Sequence, residues 1–215
     1  ETNKLNNLED IAHYSKIVEE RIFLASGDKN TLAVIKGVDW HFQNVVAIDS
    51  TLDHGSWLEQ KSNQLVIGWG ISNSLSLGVL DFTKPITVYV PKPGKGQITA
   101  TKNAFNSVNT ISVGVFYINE DLNDTYVYAS IDLAKHLLNY QPNQISSIEF
   151  RLKKGADEAQ AKANIQAVLG DKVTLKNRAQ LNDALYKMLN TENLAVYLIF
   201  TLVLIIAFFN VIGSL

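Results

Sequence analysis

The last 22 residues of the chain, Leu194 to Leu215, contain no Asp, Glu, Lys, Arg or His. About 20 apolar residues in helical form cross the hydrocarbon core of a bilayer. A helix on the surface of a soluble domain keeps a polar stripe, and this run has none. A helix buried in a large soluble core is the alternative, and it calls for a shorter uncharged run than this one. Position and length together exclude a signal peptide. Residues 191–215 therefore read as one transmembrane helix, and residues 1–190 as a folded domain attached to it. With Glu1 first and no charged flank after the run, the sequence reads as a piece of a longer membrane protein.

Composition narrows what the 1–190 part can be. Nineteen Lys and Arg stand against 21 Asp and Glu, which leaves no basic footprint for nucleic acid. The absence of cysteine rules out disulfides, Cys-ligated zinc and thiol nucleophiles. The length suffices for one good-sized core or two small lobes that share one.

Short helical and extended patterns mix along the chain, which predicts an α+β fold. Leu5, Leu8 and Ile11 fall at helical spacing, so a short helix is expected over 3–12. Strands are expected over 14–24 and 31–38, joined as a hairpin by the turn residues 26–30. Residues 42–48 suit one or two helical turns, and 49–55 read as loop. A strand over 64–68 leads into a helix over 69–77, with Ile71, Leu75 and Leu77 inward and Gly78 as its stop. Strands follow over 85–90, 108–118, 126–130 and 145–152, with a helix over 131–138 before the last. The Ala-rich stretch 156–169 reads as a helix ending at Gly170, followed by a short strand over 172–175. Asn177 and Gln180 have the spacing of a capping box. Leu181, Ala184, Leu185, Met188 and Leu189 then form an apolar stripe packed on the domain. If that helix runs on to Leu215 it is a rod of about 57 Å at 1.5 Å per residue; a break at 190–192 is the alternative.

No catalytic chemistry converges. His13, His41, His54 and His136 lack metal-ligand spacing. There is no Gly-x-Ser-x-Gly elbow and no phosphate-binding Gly-rich loop, and Gly68-Trp69-Gly70 lacks the third glycine of a dinucleotide site. Asp49, Asp53 and Asp81 could act as paired acids only if the fold happened to gather them. The expectation is a non-enzyme without cofactor or metal. Three features carry a functional reading beside a structural one. Pro91-Lys92-Pro93-Gly94-Lys95-Gly96 cannot continue a strand or helix, so it projects, either as a contact loop or as a solvated turn. Asn210 is a polar amide within the apolar run and marks a helix–helix contact, with Gly213 and Ser214 allowing close approach. Trp40, Trp57 and Trp69 are packing residues or face a partner.

Several stretches then resemble one family. Residues 197–215, closing on Ala207-Phe208-Phe209-Asn210-Val211, resemble the second transmembrane helix of the lipoprotein-releasing ABC transporter permeases, within the wider family with FtsX-like and MacB-like domains. Ile35-Lys36-Gly37-Val38-Asp39 is similar to that family's Gly-Ile/Val-Asp after a hairpin. Leu65-Val66-Ile67-Gly68 with Leu75-Ser76-Leu77-Gly78 is similar to its Ile-x-x-Gly and Leu-x-Leu-Gly segment. Val88-Tyr89-Val90-Pro91 and Ser112-Val113-Gly114-Val115-Phe116 resemble the strands that flank its projecting loop. The resemblance implies a mixed-sheet MacB-like periplasmic domain followed by one transmembrane helix, in a four-span permease of the inner membrane. Such a permease pairs with a second copy or homologue and with separate ATPase subunits. It extracts lipoproteins from the membrane and passes them to a periplasmic chaperone. Lys92, Pro93, Gly94, Lys95 and Gln97 would form the chaperone-contacting end of the loop. Ala207, Phe208, Asn210, Val211, Gly213 and Ser214 would make the contacts of the membrane helix. A MacB- or FtsX-type efflux or cell-division permease, a membrane-anchored sensor ectodomain and a hydrolase are the rival expectations.

Overall fold

A computed structural model describes residues 5–6, 8–77, 84–92, 105–171, 173–181 and 200–201. The chain divides into two compact units, Leu5–Ala161 and a second that comprises Glu1–Lys4 and Lys162–Leu215.

The first unit grows from one long hairpin. Strand β1 (Ile11–Ser26) turns through Gly27 and Asp28 into β2 (Lys29–Val38). Gly27 has φ +61°, the left-handed conformation that a two-residue hairpin turn demands and that glycine adopts without strain. A short helix α1 (Phe42–Val45) and a 3₁₀ turn (Ile48–Thr51) lead to β3 (Leu52–Gly55). Strand β4 (Gln64–Gly68) runs straight into α2 (Trp69–Ser74). The long antiparallel pair β5 (Ile86–Pro91) and β6 (Phe105–Phe116) follows. Helix α3 (Glu120–Thr125), β7 (Tyr126–Ser130), α4 (Ile131–Leu138) and β8 (Ser147–Leu152) complete the unit.

The sheet closes on itself. Phe23, Leu24 and Ala25 of β1 pair with β2 on one edge and with Tyr89, Val88 and Thr87 of β5 on the other. From β2 the pairing passes to β7 (parallel), β4 (antiparallel), β6 (parallel) and β5 (antiparallel), then back to β1. Followed round the ring, the register returns about ten residues further along β1, the stagger that a closed, tilted sheet needs. Strand β8 hangs on the first half of β1, and β3 on the last residues of β6.

Alternation along each strand sorts side chains to two faces. Val18, Ile35, Leu65, Val88, Val115 and Val127 come from all six ring strands and share one buried cluster, which is therefore the inner face. Ile71 and Leu75 from the α2 segment, and Leu133, Ala134 and Leu137 of α4, complete that cluster. On the outer face Ile17, Val66, Phe116 and Tyr128 pack under Phe42, Ile48 and Leu58.

The motifs of the resemblance hold this packing together. A Cβ at Gly37 would collide with Ala134, so α4 sits directly on the backbone of β2. A Cβ at Gly68 would fall on the carbonyl of Asn123, where α3 crosses the start of α2. The Asp39 carboxylate accepts from Ser15 Oγ at 2.7 Å, Lys16 N at 3.0 Å and His41 N at 3.1 Å. It thereby fastens the end of β2 to β1 and starts the turn into α1. Helix ends follow their caps. Ser130 Oγ accepts from Leu133 N at 3.2 Å, and Asn139 in the left-handed region (φ +54°) closes α4.

Helix α5 (Glu158–Leu169) bridges the boundary between the units, with Asp157 accepting from Ala159 N and Gln160 N at its start and Gly170 at φ +73° after its end. In the second unit Asn177 and Gln180 form the reciprocal capping box, at 2.8 and 3.0 Å, and open α6 (Arg178–Leu181).

The structure corrects several expectations. Ile11 and Ala12 belong to β1, not to a helix over 3–12, because Ile11 is in register with Leu152 of β8. The 49–55 stretch holds β3, a strand of four mostly exposed residues without apolar alternation. Residues 173–175 form no strand. Leu181, which opens the apolar stripe, is 69% exposed; the rest of the stripe lies outside the described residues. So does the apolar run apart from the helical Phe200 and Thr201, including Ala207, Phe208, Asn210, Val211, Gly213 and Ser214. Among the described residues no helix is long and apolar enough to cross a membrane.

Two glycines of one chain separate close packing from backbone freedom. Gly68→Ala should cost about 3 kcal/mol by overpacking α3. Gly155→Ala, at φ +85° with open space around it, should cost about 1 kcal/mol for its conformation alone. Urea unfolding of the two variants beside the parent chain measures both.

Candidate partner-binding surface

Register fixes the two strand ends that the 93–104 connection joins. Pro91 pairs with Phe105, so 93–104 joins two strands whose paired ends are fixed. Lys92 is exposed beside that pair. Pro93, Gly94, Lys95 and Gln97, with Gly78 and Asp81 of the preceding segment, lie outside the described residues.

The strands that carry this connection display an apolar row that the sequence reading missed. Phe23 of β1 is in register with Leu32 of β2 and Tyr89 of β5. Phe23 and Tyr89 lie 6.2 Å apart between ring centroids, and Tyr89 meets Phe105 edge-on at 6.4 Å. Leu32 is 74% exposed, Phe105 40% and Phe23 36%. The signal lay in the alternation: Leu24, Ala33 and Val88 face the interior, so their neighbours in sequence face out.

The predicted tryptophans separate. Trp57 stacks on Phe42, 6.2 Å between centroids, and contacts Tyr128, so it is a packing residue. Trp40 leans on His41, and Trp69 meets Tyr117 edge-on; both indoles are largely exposed. The histidines do not converge. His54 pairs with its neighbour Asp53 at 2.7 Å in solvent, and His41 stacks near Tyr14. Among the described residues no group of three His, Asp or Glu side chains could hold a metal ion.

One polar network crosses the outer face. Lys36 reaches Glu149 of β8 at 2.5 Å and lies 5.5 Å from the ring centroid of Phe42. The Tyr126 hydroxyl donates to Glu19 at 3.0 Å. Burial, followed by the Glu19 charge, pushes the Tyr126 hydroxyl up to about 12. Tyr128 is raised further, again by burial first and then by Glu149. Neither phenol is poised as a base. The network ties β1, β2, β7 and β8 together, and its chemistry is structural.

The sign of the alkaline response follows. Native Tyr126 keeps its proton to about pH 12, whereas the unfolded side chain releases it near the ordinary value of 10.0. The stability linked to it is complete below pH 10 and is lost as pH rises from about 10 to about 12. Urea midpoints across that range should fall for the parent chain and fall less steeply for Tyr126→Phe.

No protein-family model matches this chain, and no match is found among curated proteins. Solved structures do share its architecture. The extracellular domain of the noncanonical ABC-type transporter YknZ from Gram-positive bacteria aligns with a TM-score of 0.53 and 11% identity, covering 75% of this chain and 74% of that one. The periplasmic region of MacB from Actinobacillus actinomycetemcomitans aligns with a TM-score of 0.57 and 14% identity, covering 78% of this chain and 70% of that one. The chain has the α+β, mixed-sheet fold found in these extracytoplasmic domains.

Proposed function

We propose that this chain is part of the permease subunit of an ABC transporter, with residues 5–161 as its extracytoplasmic domain. The likeness of fold to the YknZ and MacB domains, over three-quarters of the chain, carries the reading. The uncharged run 194–215 supports it by supplying a membrane span after the domain. ATP hydrolysis belongs to a separate subunit, and this chain is non-catalytic. A second permease copy or homologue completes the transporter in the inner membrane.

Within that class, the resemblance of residues 197–215 to the lipoprotein-releasing permeases favours lipoproteins as cargo and a periplasmic chaperone as receiver. The work is mechanical: ATP-driven closure of the partner subunits moves the spans, and the domain moves with them. Acyl chains lie against Phe208, Phe209 and Val211, and the chaperone meets Lys92 and Lys95. A MacB- or FtsX-type efflux or cell-division permease is the second reading, supported by the fold shared with the periplasmic region of MacB.

Affinity purification of the full-length permease in detergent tests both levels. Co-purification of an ATPase subunit is expected, and its absence would overturn the transporter reading. The host's purified lipoprotein chaperone should bind the parent and bind at least about tenfold more weakly, a loss of about 1.4 kcal/mol, when Lys92, Pro93 and Lys95 are replaced by alanine. An ATPase without chaperone binding would leave the permease standing and replace lipoprotein release by efflux.

A further inference from the structure

The outer face of the ring is covered unevenly. Phe42, Ile48 and Leu58 lie over Ile17, Val66 and Tyr128. Nothing among the described residues does the same for the second half of β1. There Leu32, Phe23 and Tyr89 stand at one level on three strands, and Phe105, two residues from Tyr89's partner Ser107 on β6, extends the row diagonally. A sheet face left to water normally alternates to polar residues; here Thr87, which bonds Asn109 at 2.9 Å, Ser107 and Asn30 do so around the row, while Leu32, Phe23, Tyr89 and Phe105 do not.

Charge on this face is sparse and of one sign. Alternation turns residues 21, 23 and 25 of β1, 30, 32 and 34 of β2, 87, 89 and 91 of β5, and 105, 107 and 109 of β6 outward. Arg21 is the one charged residue in that set, and it is exposed. The nearest outward acid on β1, Glu19, is engaged by the Tyr126 hydroxyl. The Glu20 carboxylate accepts from the backbone N–H of Arg21, not from its guanidinium.

We propose that this row is a docking surface for a segment of a partner protein that lays apolar side chains on Phe23, Tyr89 and Leu32 and sets a carboxylate against Arg21. Aromatic residues and arginine, with Lys and Glu absent from the centre, are the composition of a protein interface core. The planar guanidinium favours a bidentate carboxylate. Among the described residues a second copy offers no carboxylate within the row, and its nearest outward acid, Glu19, is held by the Tyr126 hydroxyl, so a symmetric pairing leaves both arginines unmatched. A lipid surface is held by clustered cations around an apolar wedge, and the row itself holds one arginine, with Lys92 exposed beyond its Phe105 end. The inference rests on this face alone and goes beyond the permease reading.

The test is selection of a random 12-residue peptide library on phage against the full-length chain in detergent. Enriched peptides should carry Asp or Glu beside apolar residues. A synthetic copy of the leading peptide should bind about tenfold more weakly to Phe23→Ala and to Arg21→Glu, and Arg21→Lys, which keeps the charge but loses the bidentate fork, should fall between Arg21→Glu and the parent. Leu32→Ser, at the most exposed position, gives the same loss with the least risk to folding, and thermal melting of each variant checks that the fold is intact. No enriched peptide, or peptides that bind all variants equally, would overturn the proposal. So would binding of phosphatidylglycerol vesicles that the same variants abolish, which would assign the row to lipid.

Discussion

Three residues of β1 decide the shape of this domain. Phe23, Leu24 and Ala25 use both backbone edges, one for β2 and one for β5. Without the second pairing the molecule would be an open sheet with β1 and β5 as unprotected edges. With it the six ring strands share one interior, and that interior must be filled by side chains from every strand and from the helices at its ends. Burial of Val18, Ile22 and Leu24 on one side of β1, and of Ile17 on the other, follows from this double pairing.

Closure also explains which residues the chain cannot change freely. Helix α4 reaches the β2 backbone only because position 37 has no side chain, and α3 reaches the start of α2 only because position 68 has none. Asp39 satisfies three donors where β2 leaves the sheet, a place where buried donors without partners would cost about 1–3 kcal/mol each. These are the positions through which the sequence resembles a transporter family. They are constraints of a fold, and for that reason they transmit the architecture and say little about cargo. The fold is shared with MacB and YknZ domains at 14% and 11% identity, which is what such a small set of packing requirements can preserve.

Local chemistry made much of this legible in sequence. The β1–β2 hairpin, β4, β7 and α4 follow from alternation, turn residues and helical spacing, and the Asn177–Gln180 box forms as its spacing indicates. What stayed hidden depends on distant partners. Ile11 and Ala12 carry a helical spacing but extend because β8, some 140 residues later, offers an edge. Strand β3 has no pattern of its own and exists because the end of β6 is free to pair. The row of Leu32, Phe23, Tyr89 and Phe105 is scattered over more than 80 positions, and only the closed register assembles it. The break between β5 and β6 was legible, since Pro91 and the prolines and glycines after it cannot continue a strand.

The closed ring of the 5–161 unit has two unlike outer faces, one sealed by its own chain and one that is apolar and open among the described residues. Under the proposed reading this unit lies outside the membrane. The central claim is therefore where the domain sits. The chain has no cysteine, so a single Lys154→Cys substitution, on an exposed residue after β8, gives one unique thiol. Labelling of the full-length permease with a membrane-impermeant maleimide, in spheroplasts and in lysed cells, locates that thiol. Equal labelling in both is the result predicted for an extracytoplasmic domain. Labelling only after lysis would contradict it.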